Sequence, residues 1–515
     1  MFASKNNVSQ SVDWLSWCWL AIGAALLPFT SFQTMLPLAA WLAPIFILRF
    51  ARSQRALVSL PLVLLINSVA VAIATRNLLP TDSLVVTGAI SAGYGLIFTI
   101  SYGLDRLLAP RLSGLARTLV FPCAVVTVEL LMAVFQPIYA TWGALAYTQY
   151  GNLPLLQLIS VTGIWGVSFL IAWGAAAVNH AWEQGFIWPA HRLSTTLFVS
   201  VLLAVLLFGS VRLAFFQPDT PSVRIATLAT DQTLFSEAIE LNLKPGTDTD
   251  RGGARAAFAP QVDDLFARTR QEARAGAKLI AWPEAGVLVL KEDEAALIER
   301  AQTLAREERI YLQLGVITFL RTDHFPFREN RAILIDPAGA VVWDYYKSIQ
   351  VPGGDASNMA NGPGLVPTVS TPYGRLATVI CFDADFPILV RQAGQAQTDL
   401  LLVPSSDWKI VAESHAQMHV FRAIENGVNL VRPTNKGLSI AVDYLGQVLG
   451  QADSFATAKT VMVAAIPTQG VPTIYARIGD SFAYLCVVGL VILAGVALSR
   501  QRVMTAASLG VPVKA

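Results

Sequence analysis

Apolar runs of membrane-crossing length decide where most of the first half of this chain can lie. From about residue 14 to residue 216 the sequence is almost continuously hydrophobic, broken only by Pro, Gly and short charged loops. A run of about 18 or more apolar residues can span a bilayer as a helix. Seven such runs precede a polar region, at roughly 14–31, 33–49, 56–75, 83–102, 116–137, 155–178 and 194–216; an eighth follows it at roughly 481–499. Pro37 and Pro44 make the second the least regular. Composition agrees: 14% of residues are charged, against roughly 25% in an average soluble protein. The first run is expected to stay as a helix rather than to be a cleaved signal peptide, because only Lys5 precedes it and no small-residue cleavage site follows.

The loops orient these spans. Arg49, Arg52 and Arg55 lie between spans two and three, Arg106, Arg111 and Arg117 between four and five, and Arg500 and Arg502 after span eight. The alternate loops carry almost no charge, and 138–154 carries none. Lys and Arg stay on the cytoplasmic side. Both termini are therefore expected inside, with residues 217–480 outside, in the periplasm of a Gram-negative cell. The net charge of +2 and the lack of a basic tract exclude a nucleic-acid partner.

Residues 221–472 follow a different rule. Strand-length apolar runs ("VRIATLA", "LIAWP", "IYLQLGVI", "RAILID", "RLATVI", "DLLLVPS") alternate with helical stretches such as "FAPQVDDLFARTRQEARAG" and "HAQMHVFRAIENG". That alternation predicts an α/β domain, and about 250 residues suffice for one core. The expected organisation is a membrane domain at 1–216, an extracytoplasmic domain at 217–472, and a final span with a cytoplasmic tail at 473–515.

Three strand ends in this region carry reactive groups. "KLIAWPEAG" ends a strand just before Glu284; "VVWDYYKSIQVPGGD" leads to Lys347 and on to Asp355; "ATVICFDADFP" ends at Cys381, followed by Phe382, Asp383 and Asp385. Strand ends are where α/β folds place ligand-binding groups. If these strands are neighbours in one sheet, the three side chains converge. Of the four cysteines, Cys18, Cys123 and Cys486 sit in apolar spans, so Cys381 stands alone, without a disulfide partner or metal-ligand spacing. Taken singly, each residue has an ordinary reading: a buried apolar thiol, a loop acid, a surface lysine. Together they make an acyl-transfer site. A carboxylate takes the thiol proton, and an ammonium favours the thiolate. The ammonium and the backbone N–H after the cysteine, that of Phe382, can hold an oxyanion. Glu284 would be the base, Cys381 the nucleophile and Lys347 the electrostatic partner.

The ordered set "WPE", "YYK" and "ICFD" resembles the carbon–nitrogen hydrolase (nitrilase) superfamily. The span arrangement, "TIYARIGD" (Thr473 to Asp480) and "HAQMHVFRAIENGVNLVRPTNKGLS" (His415 to Ser439) resemble its membrane-embedded branch, the apolipoprotein N-acyltransferases, over essentially the whole chain. The resemblance implies an α/β/β/α sandwich beside a multi-span helical membrane domain. It implies an acyl chain taken from a phospholipid, usually phosphatidylethanolamine, held as a thioester on Cys381, and passed to the α-amino group of a diacylglyceryl-cysteine lipoprotein. It also implies a supporting acid at Asp355, with Asp383 beside the nucleophile. No cofactor is implied.

The chain departs from that family in places. The family's "VPFGE" reads "VPGGD" (Val351 to Asp355), and its "CYE" reads "CFD" (Cys381 to Asp383). Asp is one methylene shorter than Glu, and Phe382 lacks a hydroxyl. The stretch from Asp355 to Pro372 is short and rich in Gly, Pro, Asn and Ser; "LATDQTLFS" (Leu228 to Ser236) lacks the expected aromatic pattern. Among other residues, His415 and His419 lie four apart on a helix but lack a third metal ligand, so packing or helix-surface roles are expected. Trp408 and Phe386 are candidates to line an acyl site, and Arg391 and Arg422 to meet a phosphate. Glu129 is an ionisable residue inside span five. Two other readings share these residues: a membrane-anchored amidase using water as acceptor, and a silent relative that binds lipid without turnover.

Overall fold

The computed structural model describes residues 14–78, 83–135, 140–231, 233–234, 251–322, 324–352, 355–457 and 459–508; the side chains of Asp355 and of 501–508 are excluded. The chain forms two compact units. One contains residues up to Leu130, Ser168–Leu203 and the segment from Ala483 on; the other contains Leu131–Val167 and Ala204–Phe482. These units cut across the boundaries expected at 217 and 473, because 131–167 joins the second unit.

The first unit is helical. Among the described residues, six helices are long and apolar enough to cross a membrane: Ala56–Ala74, Leu84–Arg111, Gly114–Phe135, Ile164–Glu183, Trp188–Phe215 and Ser481–Arg500. Eight were expected. The first two runs form shorter helices, α1 (Trp14–Leu26) and α2 (Pro37–Ser53). At 1.5 Å per residue they reach only ~20 and ~25 Å, short of the roughly 30 Å hydrocarbon core. Pro28, in a 3-10 turn, and Phe32, at φ 64°, end the first run early. The next helices are α3 (Ala56–Ala74), α4 (Leu84–Leu108) and α5 (Gly114–Phe135). The run expected at 155–178 is divided into α6 (Leu153–Leu156), α7 (Ile159–Thr162) and α8 (Ile164–Glu183). Gly163 separates the last two at φ 65°, and a Cβ there would lie 2.6 Å from the Tyr475 ring. The polar ends of several helices meet. Arg52 at the end of α2 pairs with Asp105 on α4 at 2.7 Å and with Glu183 on α8 at 3.3 Å; Arg117 on α5 pairs with Glu183 at 2.7 Å. Arg500 reaches Ser113 at 3.5 Å.

The second unit is a four-layer sandwich. Helix α9 (Trp188–Phe215) leads to β1 (Ser222–Leu228). The first sheet has the order β15-β1-β2-β4-β5-β6, with β3 (Val287–Leu290) also paired to β4. Its strands include β2 (Leu279–Ala281), β4 (Tyr311–Phe319), β5 (Arg328–Ile335), β6 (Val341–Tyr346) and β15 (Val461–Pro467). Strands β1 and β15 pair antiparallel over their whole length, from Ser222 opposite Pro467 to Leu228 opposite Val461. The second sheet has the order β14-β13-β11-β9-β8-β7. It contains β7 (Thr368–Thr371), β8 (Gly374–Thr378), β9 (Leu400–Leu402), β11 (Asn429–Arg432), β13 (Leu438–Val442) and β14 (Val448–Asp453). A short parallel pair, β10 (Ser405–Ser406) with β12 (Thr434–Asn435), lies apart.

Strand alternation sends one face of each sheet inward. Ile225, Leu279, Leu334 and Trp343 of the first sheet pack on Leu376, Leu400, Leu402 and Val431 of the second. The outer face of the first sheet, including Ile280, Leu312 and Leu314, buries Leu265, Phe266, Leu297 and Leu304. These come from α10 (Arg251–Arg274) and α11 (Glu294–Glu308). Helix α13 (Ala412–Asn426) covers β11 and β13, with α12 (Pro387–Gln395) packed beside it. Helix α14 (Ile474–Ile478) then leads into α15 (Ser481–Ser508).

Residues 140–167 are fastened to the sandwich. Trp142 Nε1 donates to Asp385 Oδ2 at 2.8 Å, and Gln157 Nε2 donates to the Leu445 carbonyl at 3.0 Å. The Ile164 N–H donates to Glu425 at 3.0 Å, and Trp165 Nε1 donates to Asp480 at 2.7 Å.

Candidate active site

The three expected residues come from both sheets rather than from neighbouring strands of one. Glu284 and Lys347 follow β2 and β6 of the first sheet; Cys381 follows β8 of the second. Each is nearly buried, Glu284 at 5%, Lys347 at 1% and Cys381 at 4% exposed. They therefore lie largely withdrawn from water, where charge interactions are strong.

Glu284 is placed by a turn that crosses β4. A Cβ on Gly315 of β4 would sit 1.8 Å from the Pro283 carbonyl oxygen, so only glycine lets "WPE" pass. The next residue, Ala285, takes φ 53°. Glu284 Oε1 accepts from Lys347 Nζ and from Asn330 Nδ2, both at 2.7 Å. Its Oε2 accepts from the Ser406 N–H at 3.0 Å. Asn435 Nδ2 donates to the Glu284 backbone carbonyl at 3.2 Å. The Lys347 N–H in turn donates to the Asn330 carbonyl at 2.9 Å. The Glu284 carboxylate and the Lys347 ammonium are thus fixed to each other and to β5.

Cys381 begins a 3-10 turn, Cys381–Asp385, with φ 50°. A non-glycine residue there is strained by about 1–3 kcal/mol, a cost found where surrounding structure enforces it. Its N–H donates to the Pro404 carbonyl at 2.9 Å, and its thiol donates to the Ser406 carbonyl at 3.8 Å. Ser406 therefore touches both partners: its N–H holds the Glu284 carboxylate and its carbonyl takes the thiol. Burial pushes the Cys381 thiol well above its ordinary range, the Glu284 carboxylate pushes it further, and Lys347 pulls it back. Burial and the carboxylate both favour the protonated thiol.

Asp383 lies behind the turn. Its carboxylate accepts from the Ile380, Ser348 and Ile349 N–H groups at 3.0, 3.3 and 2.8 Å and from the Tyr345 hydroxyl at 2.8 Å. Burial pushes its carboxyl up to about 6 against the pull of those donors. It ties the nucleophile turn to the Lys347 loop. Phe382 is buried and packs edge-on against Phe386, ring centres 5.1 Å apart. The Asp355 backbone lies in the 3-10 turn Asp355–Ser357; its side chain, Gly353 and Gly354 lie outside the described residues, as do parts of "LATDQTLFS".

Other expectations change in part. His415 and His419 are buried, as packing roles require, and Asp385 stands within 4.8 Å of both as a third potential ligand that their spacing did not show. Arg422 is internal: its guanidinium donates to the Tyr147 hydroxyl at 2.9 Å and pairs with Glu425 at 3.2 Å. Arg391 donates to the carbonyls of Ala476 and Arg477 at the end of α14, at 3.0 and 2.7 Å. Neither arginine is presented to a phosphate. Trp408 is exposed, Phe386 half-buried, and Glu129 is buried within α5. Asn330, Ser406 and Asn435 escaped the sequence reading, because an isolated Asn or Ser on a strand carries no signal of what faces it.

Two family profiles match. The carbon-nitrogen hydrolase profile covers residues 253–474, and the apolipoprotein N-acyltransferase N-terminal domain covers 23–177. Apolipoprotein N-acyltransferase of Geobacter metallireducens is 29% identical over 388 residues, 70% of this chain and 71% of its own. Apolipoprotein N-acyltransferase 2 of Treponema pallidum is 26% identical, over 67% of this chain and 69% of its own. Human deaminated glutathione amidase is 28% identical over 39% of this chain and 64% of its own. A crystal structure of an amidase from Nesterenkonia sp. aligns with 51% of this chain and 95% of its own, 21% identical, at TM-score 0.39. A nitrilase-type sandwich carrying a buried Glu, Lys and Cys, in one chain with six membrane-length helices among the described residues, defines a membrane-embedded carbon–nitrogen hydrolase fold. Within that class, the chain is a membrane acyltransferase similar to the apolipoprotein N-acyltransferases.

Proposed function

We propose that this enzyme moves an acyl chain from phosphatidylethanolamine, through a thioester on Cys381, to the α-amino group of a diacylglyceryl-cysteine lipoprotein. The observation that carries the reading is the Ser406 backbone, which joins the Glu284 carboxylate and the Cys381 thiol in a chain with membrane-length helices. In the first step Glu284 takes the thiol proton, and the thiolate attacks the ester carbonyl. Lys347 and the Phe382 N–H stabilise the oxyanion. The intermediate collapses with cleavage of the ester C–O bond, and protonated Glu284 returns its proton to the leaving lysophospholipid alkoxide. In the second step Glu284 takes a proton from the lipoprotein amine, whose nitrogen attacks the thioester. The C–S bond breaks, and the thiolate is reprotonated. Asp383 serves as a positioning residue for the turn, and Asp355 is kept as the supporting acid that the family resemblance implies.

The helix ends joined by Arg52, Arg117 and Arg500 are assigned to the cytoplasm by the positive-inside rule. Helix α9 begins just after Glu183, on that side, so residues 217–480 follow it to the periplasmic side of the inner membrane, and both termini lie inside.

The acceptor is tested with purified protein in detergent and a synthetic diacylglyceryl-cysteine peptide. Transfer of labelled acyl chain to the free-amine peptide, but not to its N-acetylated form, supports the reading. Release of the label as free fatty acid with either peptide supports a hydrolase instead.

A further inference from the structure

A buried charged network that acyl transfer by Glu284, Lys347 and Cys381 does not use stands behind the nucleophile. Asp407, directly after Ser406, has a carboxylate oxygen within 4.8 Å of both Cys381 Sγ and a ring nitrogen of His415. Arg432 Nη2 grips both oxygens of Asp407 at 2.9 Å. On the far side of His415 stands Asp385, the last residue of the nucleophile turn. His415 Nδ1 meets Asp407 Oδ1 at 2.8 Å, and its Nε2 meets Asp385 Oδ1 at 3.0 Å. A carboxylate faces each ring nitrogen, and Arg432 Nη2 also lies 3.1 Å from Nδ1; the two carboxylates outweigh the guanidinium and favour the imidazolium.

The neighbouring groups are fixed in turn. Arg432 Nε donates to His419 Nδ1 at 2.9 Å, so His419 is neutral and its Nε2–H donates to Asp385 at 3.2 Å. Trp142 donates to the other Asp385 oxygen at 2.8 Å, and the Thr141 hydroxyl donates to the Asp385 carbonyl at 3.1 Å. Two carboxylates, one imidazolium and one guanidinium leave the cluster neutral. Burying four charges is costly unless each is paired and hydrogen-bonded, and here each is. Burial opposes the His415 charge, yet Asp385 and Asp407 hold its pKa up to about 9.

The bridge joins two elements that must stay in register. Asp385 belongs to the turn that carries the nucleophile; Asp407 adjoins the residue that holds both base and thiol. We propose that His415 is a positioning residue, which by linking Asp385 to Asp407 holds the Cys381 turn against the Ser406 backbone and so sets the path of the thiol proton to Glu284. Proton transfer needs heavy atoms about 2.6–3.2 Å apart, and a displacement of about 1 Å can cost on the order of 100-fold in rate.

The test uses the full chain in detergent, phosphatidylethanolamine with a fluorescent acyl chain, and His415→Gln. This lipid readout rests on the proposed function. The acylation rate constant is expected to fall roughly 10- to 100-fold, while the burst amplitude stays stoichiometric with folded protein and KM for the lipid stays within about twofold. A residue that only supports the fold would lower the amplitude and leave the rate constant unchanged, which overturns the proposal. Alkylation of Cys381 by iodoacetamide needs no lipid and is expected to slow by a similar factor. Should wild-type protein alkylate but take no acyl chain, the lipid donor is wrong, and the alkylation ratio alone decides the bridge: slowed supports it, equal overturns it. If His415→Gln does not fold, the near-isosteric Asp407→Asn weakens one arm of the bridge. A rate constant reduced several-fold supports the proposal, and an unchanged one overturns it.

Discussion

Glu284→Gln keeps the side chain's size, removes its charge and sets three donors against an amide. The carboxylate accepts from Lys347 and Asn330 on one oxygen and from the Ser406 N–H on the other. A Gln amide must turn its NH₂ toward one of these sets, so a donor faces a donor in either orientation. Lys347, 1% exposed, also loses its counter-charge. Breaking a buried pair costs about 3–5 kcal/mol, reduced where the Gln oxygen still accepts from Lys347, so a loss of about 3 kcal/mol is expected. At about 2–4 °C per kcal/mol for a domain of this size, the sandwich should melt about 6–12 °C lower. The rate falls further, because a general base contributes about 10²–10⁴-fold, or about 2.7–5.4 kcal/mol of barrier. The assay follows thioester formation from a labelled phospholipid by rapid quench, scaled to the folded fraction from a parallel melt. A folded variant acylating within threefold of wild type would show that Glu284 is not the base. An unchanged melting temperature would show that the Glu284–Lys347 pair does not hold the site.

Two further outcomes rest on the same structure. Gly315→Ala puts a methyl group 1.8 Å from the Pro283 carbonyl; overpacking of this kind costs about 1–3 kcal/mol or more, and the displaced "WPE" turn should cut acylation at least tenfold, whereas a wild-type rate would mean the turn is not fixed there. His415 has a folded-state pKa of about 9, above its unfolded value of about 6.5. Its stabilising contribution is thus fully present below about pH 6.5 and is lost as pH rises through 9. The difference in melting temperature between wild type and His415→Gln should therefore shrink across that window, and a constant difference would refute the charged bridge.

The candidate residues were legible in the sequence because they sit where apolar strands end, and a strand end followed at once by Glu, Lys or Cys is a local signal. Which sheet each strand joins was not. Glu284 and Cys381 meet across the sandwich, through pairings between segments more than a hundred residues apart, and neither "WPE" nor "ICFD" encodes its partner. Ser406, Asp407 and Arg432 stayed silent for the same reason, and Asp385 was visible only as an acid after Cys381. The pair His415 and His419 was visible at helical spacing, but spacing alone does not distinguish a helix surface from two buried rings facing Asp385. Hydrophobic runs located six long helices, yet run length overstates helix length where Phe32 or Gly163 takes positive φ. The loop around Trp142 was noted only for its lack of charge, which carries no sign of its hydrogen bonds to the Cys381 turn.

The central claim is that Cys381 is acylated by a membrane lipid. Purified wild-type protein and Cys381→Ala would be mixed with phosphatidylethanolamine carrying a labelled acyl chain, denatured, and treated with neutral hydroxylamine, which cleaves thioesters. Label on the wild type that hydroxylamine removes, and none on the variant, is the predicted result. Folded wild-type protein that stays unlabelled, or a Cys381→Ala variant that is labelled to the same extent, would contradict it.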